Sequence, residues 1–220
     1  MEAILLSAFQ YENKDAGFYR LQMQGNQKPT KLTMMAKAFS RPKKAKNEDK
    51  LLFTRSSYID FPDLWTSDLK LSNMKKISDV NPQQSEYLWG TAELVEWNSL
   101  DGIPLQGILY KPENFDPTKK YPMMVYFYEK MSNGLHRHRP PVTARSSISF
   151  SFYVSRGYVV FVPDIPYKVG YPGESALNAV VPGCLSLLHF CPATQAWGKR
   201  LSYPGSGAGD CQSRGTSGLS

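Results

Sequence analysis

The sequence predicts a mixed fold, all-β over its first 80 or so residues and α/β after Thr91, followed by a stretch of different composition. Three observations carry this. Strand-like segments recur at a period near 45 residues in the first part, two runs apolar on both faces flank a helix-compatible segment in the second, and residue usage changes after Gly183. At 41% hydrophobic and 13% aromatic, the 220-residue chain has material for a real core.

The first strands are read at Ile4 to Phe9, Gly17 to Met23, Leu51 to Arg55 and Leu64 to Ser67, with Gly25-Asn26, Pro29, Asn73 and Asn81-Pro82 as turns. Phe18-Tyr19-Arg20-Leu21 aligns with Leu64-Trp65-Thr66-Ser67, and Lys31-Leu32-Thr33 with Lys76-Ile77-Ser78, at offsets of 46 and 45. A repeat of that length built from short strands has the size of one β-propeller blade. The basic run from Lys37 to Lys50 contains Glu48 and Asp49 and has no aromatic after Phe39 on which bases could stack, so it reads as a solvated loop.

From Thr91 the pattern changes. Thr91 to Trp97 and Ile103 to Tyr110 form a hairpin about Asp101-Gly102, with Pro104 near a strand end. Tyr121 to Tyr128 and Gly157 to Val162 are apolar on both faces, the signature of strands at the centre of a covered, parallel sheet. Between them Ser146 to Arg156 suits a helix that turns Ile148, Phe152 and Tyr153 to the sheet and stops at Gly157. Hairpin, buried strand, helix, buried strand is the opening order of an α/β-hydrolase. A second helix begins at Leu177 and is expected to break at Pro182-Gly183.

Beyond Gly183 ten of the last nineteen residues are Gly or Ser, the only acid is Asp210, and all three cysteines, Cys184, Cys191 and Cys211, appear. Their spacing fits no common zinc pattern even with His189, and the segment has too few apolar groups to offset the entropy of ordering. Disorder, or an out-of-frame tail, is expected. The domain reading is therefore 1–88, 89–183 and 184–220.

Charge narrows the partners. Of the net +7, residues 1–183 carry +5 (23 basic, 18 acidic), too little to argue for nucleic acid. No window approaches the roughly 20 apolar residues of a membrane span, and Met1 to Phe9 lacks the basic start of a signal peptide. No metal and no cofactor is expected.

A hydrolase of this order needs a serine on a G-x-S-x-G elbow, then an acid, then a histidine. Gly173-Glu174-Ser175-Ala176-Leu177 lacks the last glycine, and Gly215-Thr216-Ser217-Gly218 has the wrong spacing. After Ser175 the only histidine, His189, precedes the only acid, Asp210, so no triad assembles in order. His136 and His138 read as polar loop residues without a carboxylate cluster. Asp164, just past the carboxyl end of a predicted strand, stands where sites of open α/β sheets gather, but without a visible partner.

At Asp101-Gly102-Ile103-Pro104-Leu105-Gln106-Gly107-Ile108-Leu109-Tyr110-Lys111-Pro112, at Lys120-Tyr121-Pro122 and at Gly157-Tyr158-Val159-Val160-Phe161-Val162-Pro163-Asp164 the chain resembles the prolyl oligopeptidase family of serine peptidases, which includes dipeptidyl peptidase IV and acylaminoacyl peptidase. The resemblance runs from about Ala3 to Gly183. It implies the last strands of a β-propeller followed by the N-terminal part of an α/β-hydrolase domain, and a peptide as substrate of the intact relatives. It also implies that Tyr128, ending the strand after Tyr121-Pro122, is the oxyanion-hole tyrosine. Two departures stand out: Glu129-Lys130-Met131-Ser132-Asn133-Gly134 replaces a Gly-rich turn, and Ile165-Pro166-Tyr167 replaces Gly-Arg-Gly. The expectation is a fragment without its triad, inactive by itself. The alternative is a non-catalytic module that uses its β-rich half to hold a peptide or protein partner by strand addition.

Overall fold

The computed structural model describes residues 3–24, 28–141 and 148–187. Strands β1 (Ala3–Phe9), β2 (Ala16–Gln22) and β3 (Thr30–Met35) form an antiparallel meander in that order. A second sheet follows from β4 (Ala38–Phe39), β5 (Lys43–Lys44), β6 (Lys50–Ser56), β7 (Asp63–Asp68) and β8 (Lys75–Lys76), with β4 and β5 both on β6 and then β7 and β8 in turn. The segments aligned by the repeat occupy like places. Phe18–Leu21 lies on β2, which pairs β3, and Leu64–Ser67 lies on β7, which pairs β8. Phe18, Leu51, Phe53 and Leu71 form the shared apolar core of the two sheets.

The basic run is not a loop throughout. Its lysines ride an interrupted edge strand: Lys43 pairs Leu52, Lys44 pairs Leu51, and Pro42, without an N–H to donate, lies in the gap between β4 and β5. Exposed lysines on such an edge discourage pairing with another chain.

The third sheet runs β11-β12-β10-β9, from β9 (Thr91–Asn98), β10 (Pro104–Lys111), β11 (Met123–Val125) and β12 (Val159–Pro163). β9 and β10 are the expected hairpin, and β11 and β12 are parallel. Side chains of β12 alternate between two cores. Val160 and Val162 meet Ile108, Tyr110, Phe150 and Val154 on one face, while Val159 and Phe161 meet Trp97, Leu109 and Ala179 on the other. Burial on both faces explains why that strand reads as an unbroken apolar run.

Two further expectations are corrected by β11 and α1. The run Tyr121 to Tyr128 is not a central strand: only three residues pair, and they are half-buried, because no strand lies on the outer side of β11 among the described residues. Helix α1 (Phe150–Val154) buries Phe150 and Val154, four residues apart, while Phe152 is 46% exposed. Ile148 and Tyr153 pack only at the margin of that core, and the helix ends at Val154, with a turn over Ser155 and Arg156 that leads to Gly157, φ +79°.

Helix α2 (Pro172–Ser186) passes through Pro182 instead of breaking there. A proline at that position cannot donate to the Asn178 carbonyl, but the Leu100 N–H from the β9–β10 turn donates to it instead, at 3.1 Å. The Asn178 side chain also exchanges bonds with Asp101, and the Trp97 indole N–H donates to the Ala179 carbonyl at 2.9 Å. A Cβ on Gly183 would lie 2.8 Å from Trp97 and 2.9 Å from Phe161, so this glycine permits the close approach of helix and sheet. The helix continues over Cys184 to Ser186 and Leu187 is buried, so the break in composition falls inside a packed element.

Candidate functional site

Past Val125 the chain still follows β12. The Tyr126 N–H donates to the Phe161 carbonyl (2.9 Å) and the Ile165 N–H to the Glu129 carbonyl (3.1 Å). This sets Tyr128 beside the carboxyl ends of the two parallel strands, the end at which α/β sheets build their sites. Tyr128 is 75% exposed and its hydroxyl makes no hydrogen bond among the described residues. With Phe127, Glu129, Tyr167 and Pro172 it lines a shallow cavity of about 310 Å³. Tyr167 belongs to the segment that departs from the family pattern, so the departure supplies one wall.

Asp164 is not isolated. Its Oδ1 accepts from the Met131 N–H (2.6 Å) and the Ser132 N–H (2.8 Å), and its Oδ2 accepts from the Ser132 hydroxyl. The carboxylate therefore clamps the turn that takes the place of the Gly-rich one, with three hydrogen bonds spent on structure. Sequence spacing could not disclose these partners, which lie about 32 residues away.

Ser175 sits in the first turn of α2. Its Oγ donates to the Tyr171 carbonyl (2.8 Å) and accepts from the Lys168 N–H (2.9 Å), so it ties the entry of the helix. No histidine bonds it among the described residues. His189, Cys191, Asp210, Cys211 and the 215–218 segment lie outside the described residues.

His136 and His138 fasten the turn to the first half of the chain. His136 Nε2 lies 3.3 Å from the Asn13 carbonyl, an acceptor, so that nitrogen carries the proton, and it is 3.7 Å from Asp15. His138 stacks on Trp89 (5.1 Å, 12°) and meets Phe61 edge-on. Burial pushes both imidazoles below the ordinary histidine pKa. The Asn13 contact and Asp15 oppose this for His136, as do the Tyr58 backbone and Asp60 for His138.

A second cavity, of about 700 Å³, opens between the β1–β2 turn and the third sheet. Its walls include Tyr11, Lys14, Glu96, Lys130, Asn133 and Asp164. Lys14 is 5% exposed and takes a left-handed backbone, φ 65°, in a turn closed by the Gln10 N–H on the Asp15 carbonyl. Such a conformation is disfavoured for a lysine and is often kept where a side chain must be aimed. Burial lowers its pKa, against the pull of Asp164, Glu12 and Glu96. The sequence reading missed this residue because a single lysine in a turn carries no periodic or motif signal.

Among the described residues no cluster of three histidine, cysteine or acidic side chains could hold a metal, and no helix is long and apolar enough to cross a membrane.

No protein-family model matches the chain. A probable dipeptidyl-aminopeptidase B of Ajellomyces capsulatus is 31% identical over 91 residues, a match that covers 40% of this chain and 9% of that protein's length. Among solved structures, the AtxE2 isopeptidase superposes with a TM-score of 0.57 at 17% identity, over 76% of this chain and 24% of its own. A dipeptidyl peptidase 4 of Porphyromonas gingivalis gives 0.55 at 19% identity, over 74% and 23%. A post-proline cleaving enzyme of Rickettsia typhi gives 0.54 at 16%, over 86% and 29%. The chain thus matches under a third of each relative's length, and the resemblance to prolyl oligopeptidase-family peptidases read from its motifs holds in both kinds of comparison.

Proposed function

We propose that this chain is a piece of a prolyl oligopeptidase-family serine peptidase, with the last strands of a β-propeller in 1–88 and the first part of an α/β-hydrolase domain in 89–183, and that alone it does not hydrolyse peptides. In this reading the Tyr128 hydroxyl donates to the oxygen of a scissile peptide carbonyl. Negative charge grows on that oxygen as a serine attacks, and a donor already aimed there lowers the barrier without reorganising. The observation that carries the reading is the exposed, unbonded Tyr128 hydroxyl at the carboxyl ends of β11 and β12.

The engaged Ser175 Oγ supports the inactive part, because a hydroxyl that donates to a main-chain carbonyl has no base to take its proton. Labelling the purified chain with a fluorophosphonate, followed by intact mass spectrometry, tests this. No adduct is expected; an adduct mapped to Ser175 overturns the reading. Residues 184–220 are read as an out-of-frame tail, and the encoding DNA decides: an alternative frame with a G-x-S-x-G elbow is expected, and its absence defeats the frameshift.

One observation favours a second reading, a non-catalytic module that binds by strand addition, at the third sheet and not at the β-rich first half. The outer edge of β11 carries no partner strand among the described residues. A monodisperse chain that captures an extended peptide along β11 would support it.

A further inference from the structure

The cavity beside Lys14 is unevenly equipped. It has two cations, Lys14 and Lys130, and two anions, Glu96 and Asp164, so charge alone favours no ligand. Burial and partners distinguish them. Asp164 accepts from Met131 and Ser132, and Glu96 Oε1 accepts from Gln106 Nε2 at 2.7 Å. Gln106 Nε2 also donates to the Glu12 carbonyl at 3.0 Å, so both of its N–H groups are taken. The ammonium groups of Lys14 and Lys130, the Asn133 amide and the Tyr11 hydroxyl form no side-chain hydrogen bond among the described residues. Among the described residues Glu96 Oε2 and Gln106 Oε1 also stay open, but Glu96 is exposed to solvent, whereas the unpaired Lys14 side chain is nearly buried.

We infer that this cavity is a binding site for a carboxylate, held by the Lys14 and Lys130 ammonium groups with Asn133 and Tyr11 completing its hydrogen bonds. A carboxylate has acceptors only and fills such a set without leaving a donor unpaired. Lys14 is nearly buried and fixed by a left-handed turn, so little of its freedom is lost on binding. Burial disfavours its charged form, and an incoming anion restores it. The site lies against Asp164 and Asn133 and shares no lining residue with the cavity at Tyr167. It requires no catalytic step, so it stands or falls apart from the peptidase reading.

The test is a titration of the ¹⁵N-labelled full chain with three probes: tetra-alanine as the free acid, tetra-alanine as its C-terminal amide, and N-acetylglutamate α-amide. The expected result is saturable shifts of the Lys14, Lys130 and Asn133 amide signals with at least one of the acids and none with the tetra-alanine amide. Response to tetra-alanine acid assigns a terminal carboxylate, and response to N-acetylglutamate α-amide alone assigns a side-chain carboxylate. Lys14→Asn, whose new residue tolerates the left-handed backbone, and Lys130→Met, on the exposed rim, should each weaken binding by about tenfold or more. Should Lys14→Asn fail to fold, Lys130→Met carries the test. No shift with either acid, equal shifts with the tetra-alanine amide, or undiminished binding in the variants that fold overturns the inference.

Discussion

Tyr58 and Trp89 exchange hydrogen bonds across the junction between the two halves: the Tyr58 hydroxyl donates to the Trp89 carbonyl at 3.2 Å, and the Trp89 indole N–H donates to the Tyr58 carbonyl at 2.8 Å. Tyr58 leaves the β6–β7 connection to enter the core of the third sheet, its ring 4.9 Å from that of Tyr110. Burial drives the phenol pKa of both tyrosines upward, so they stay neutral through the physiological range. Tyr58→Ala should cost about 3 kcal/mol or more, as a large aromatic is lost from a closed site. Tyr58→Phe, which removes only the hydroxyl bond, should cost about 1 kcal/mol. Urea unfolding of both variants checks this. If the alanine variant melts only its first two sheets, the contact is peripheral to the third.

Gly183→Ala should destabilise the chain by about 1–3 kcal/mol, because the added methyl meets the rings of Trp97 and Phe161 and both are held by neighbours. Thermal unfolding measures it. A neutral result would mean that α2 can shift outward at no cost.

Asp164→Ala should leave the Met131 and Ser132 N–H groups without their acceptor, at about 2 kcal/mol. The sensitive readout is hydrogen exchange. The Ser132 amide should lose protection while those of β10 keep theirs.

Acid should loosen the junction near neutral pH. Both histidines have a folded pKa below the unfolded value, so the unfolded chain binds more protons. Their contribution is complete above the unfolded value of 6.5 and is lost as pH falls from there through the folded values. Asp60 and Asp63, held below the carboxylate range by their lysine and serine partners despite burial, lose their contribution only at lower pH, as they protonate. Urea midpoints measured against pH should rise as the pH rises toward 6.5 and level off above it. The slope should vanish in His136→Gln/His138→Gln; a persisting slope would assign the titration elsewhere.

How much of this was legible depended on how local the cause was. The Thr91–Lys111 hairpin is written in adjacent residues, with Asp101-Gly102 at its turn, and Tyr128 could be placed from the motif around Tyr121-Pro122. The face of α1 was misread because the burial of Phe150 is decided by Tyr110 and Tyr126, which are distant in sequence. Pro182 reads as a stop in the sequence because the rescuing donor, Leu100, sits on the distant β9–β10 hairpin. Lys14 and the partners of Asp164 were invisible for the same reason: they exist only once the β1–β2 turn and the turn after Glu129 meet the third sheet.

The three-residue pairing of β11 gives the third sheet a direction of opening. Met123, Met124 and Val125 meet Val159, Val160 and Phe161 on one side only, whereas β10 is laced to β9 along its whole length and to β12 as well. Thermal fluctuations should therefore unzip the sheet from the β11 margin inward. Tyr128 follows that margin three residues on, so the residue with the clearest chemical potential also stands next to the least firmly held strand of the sheet.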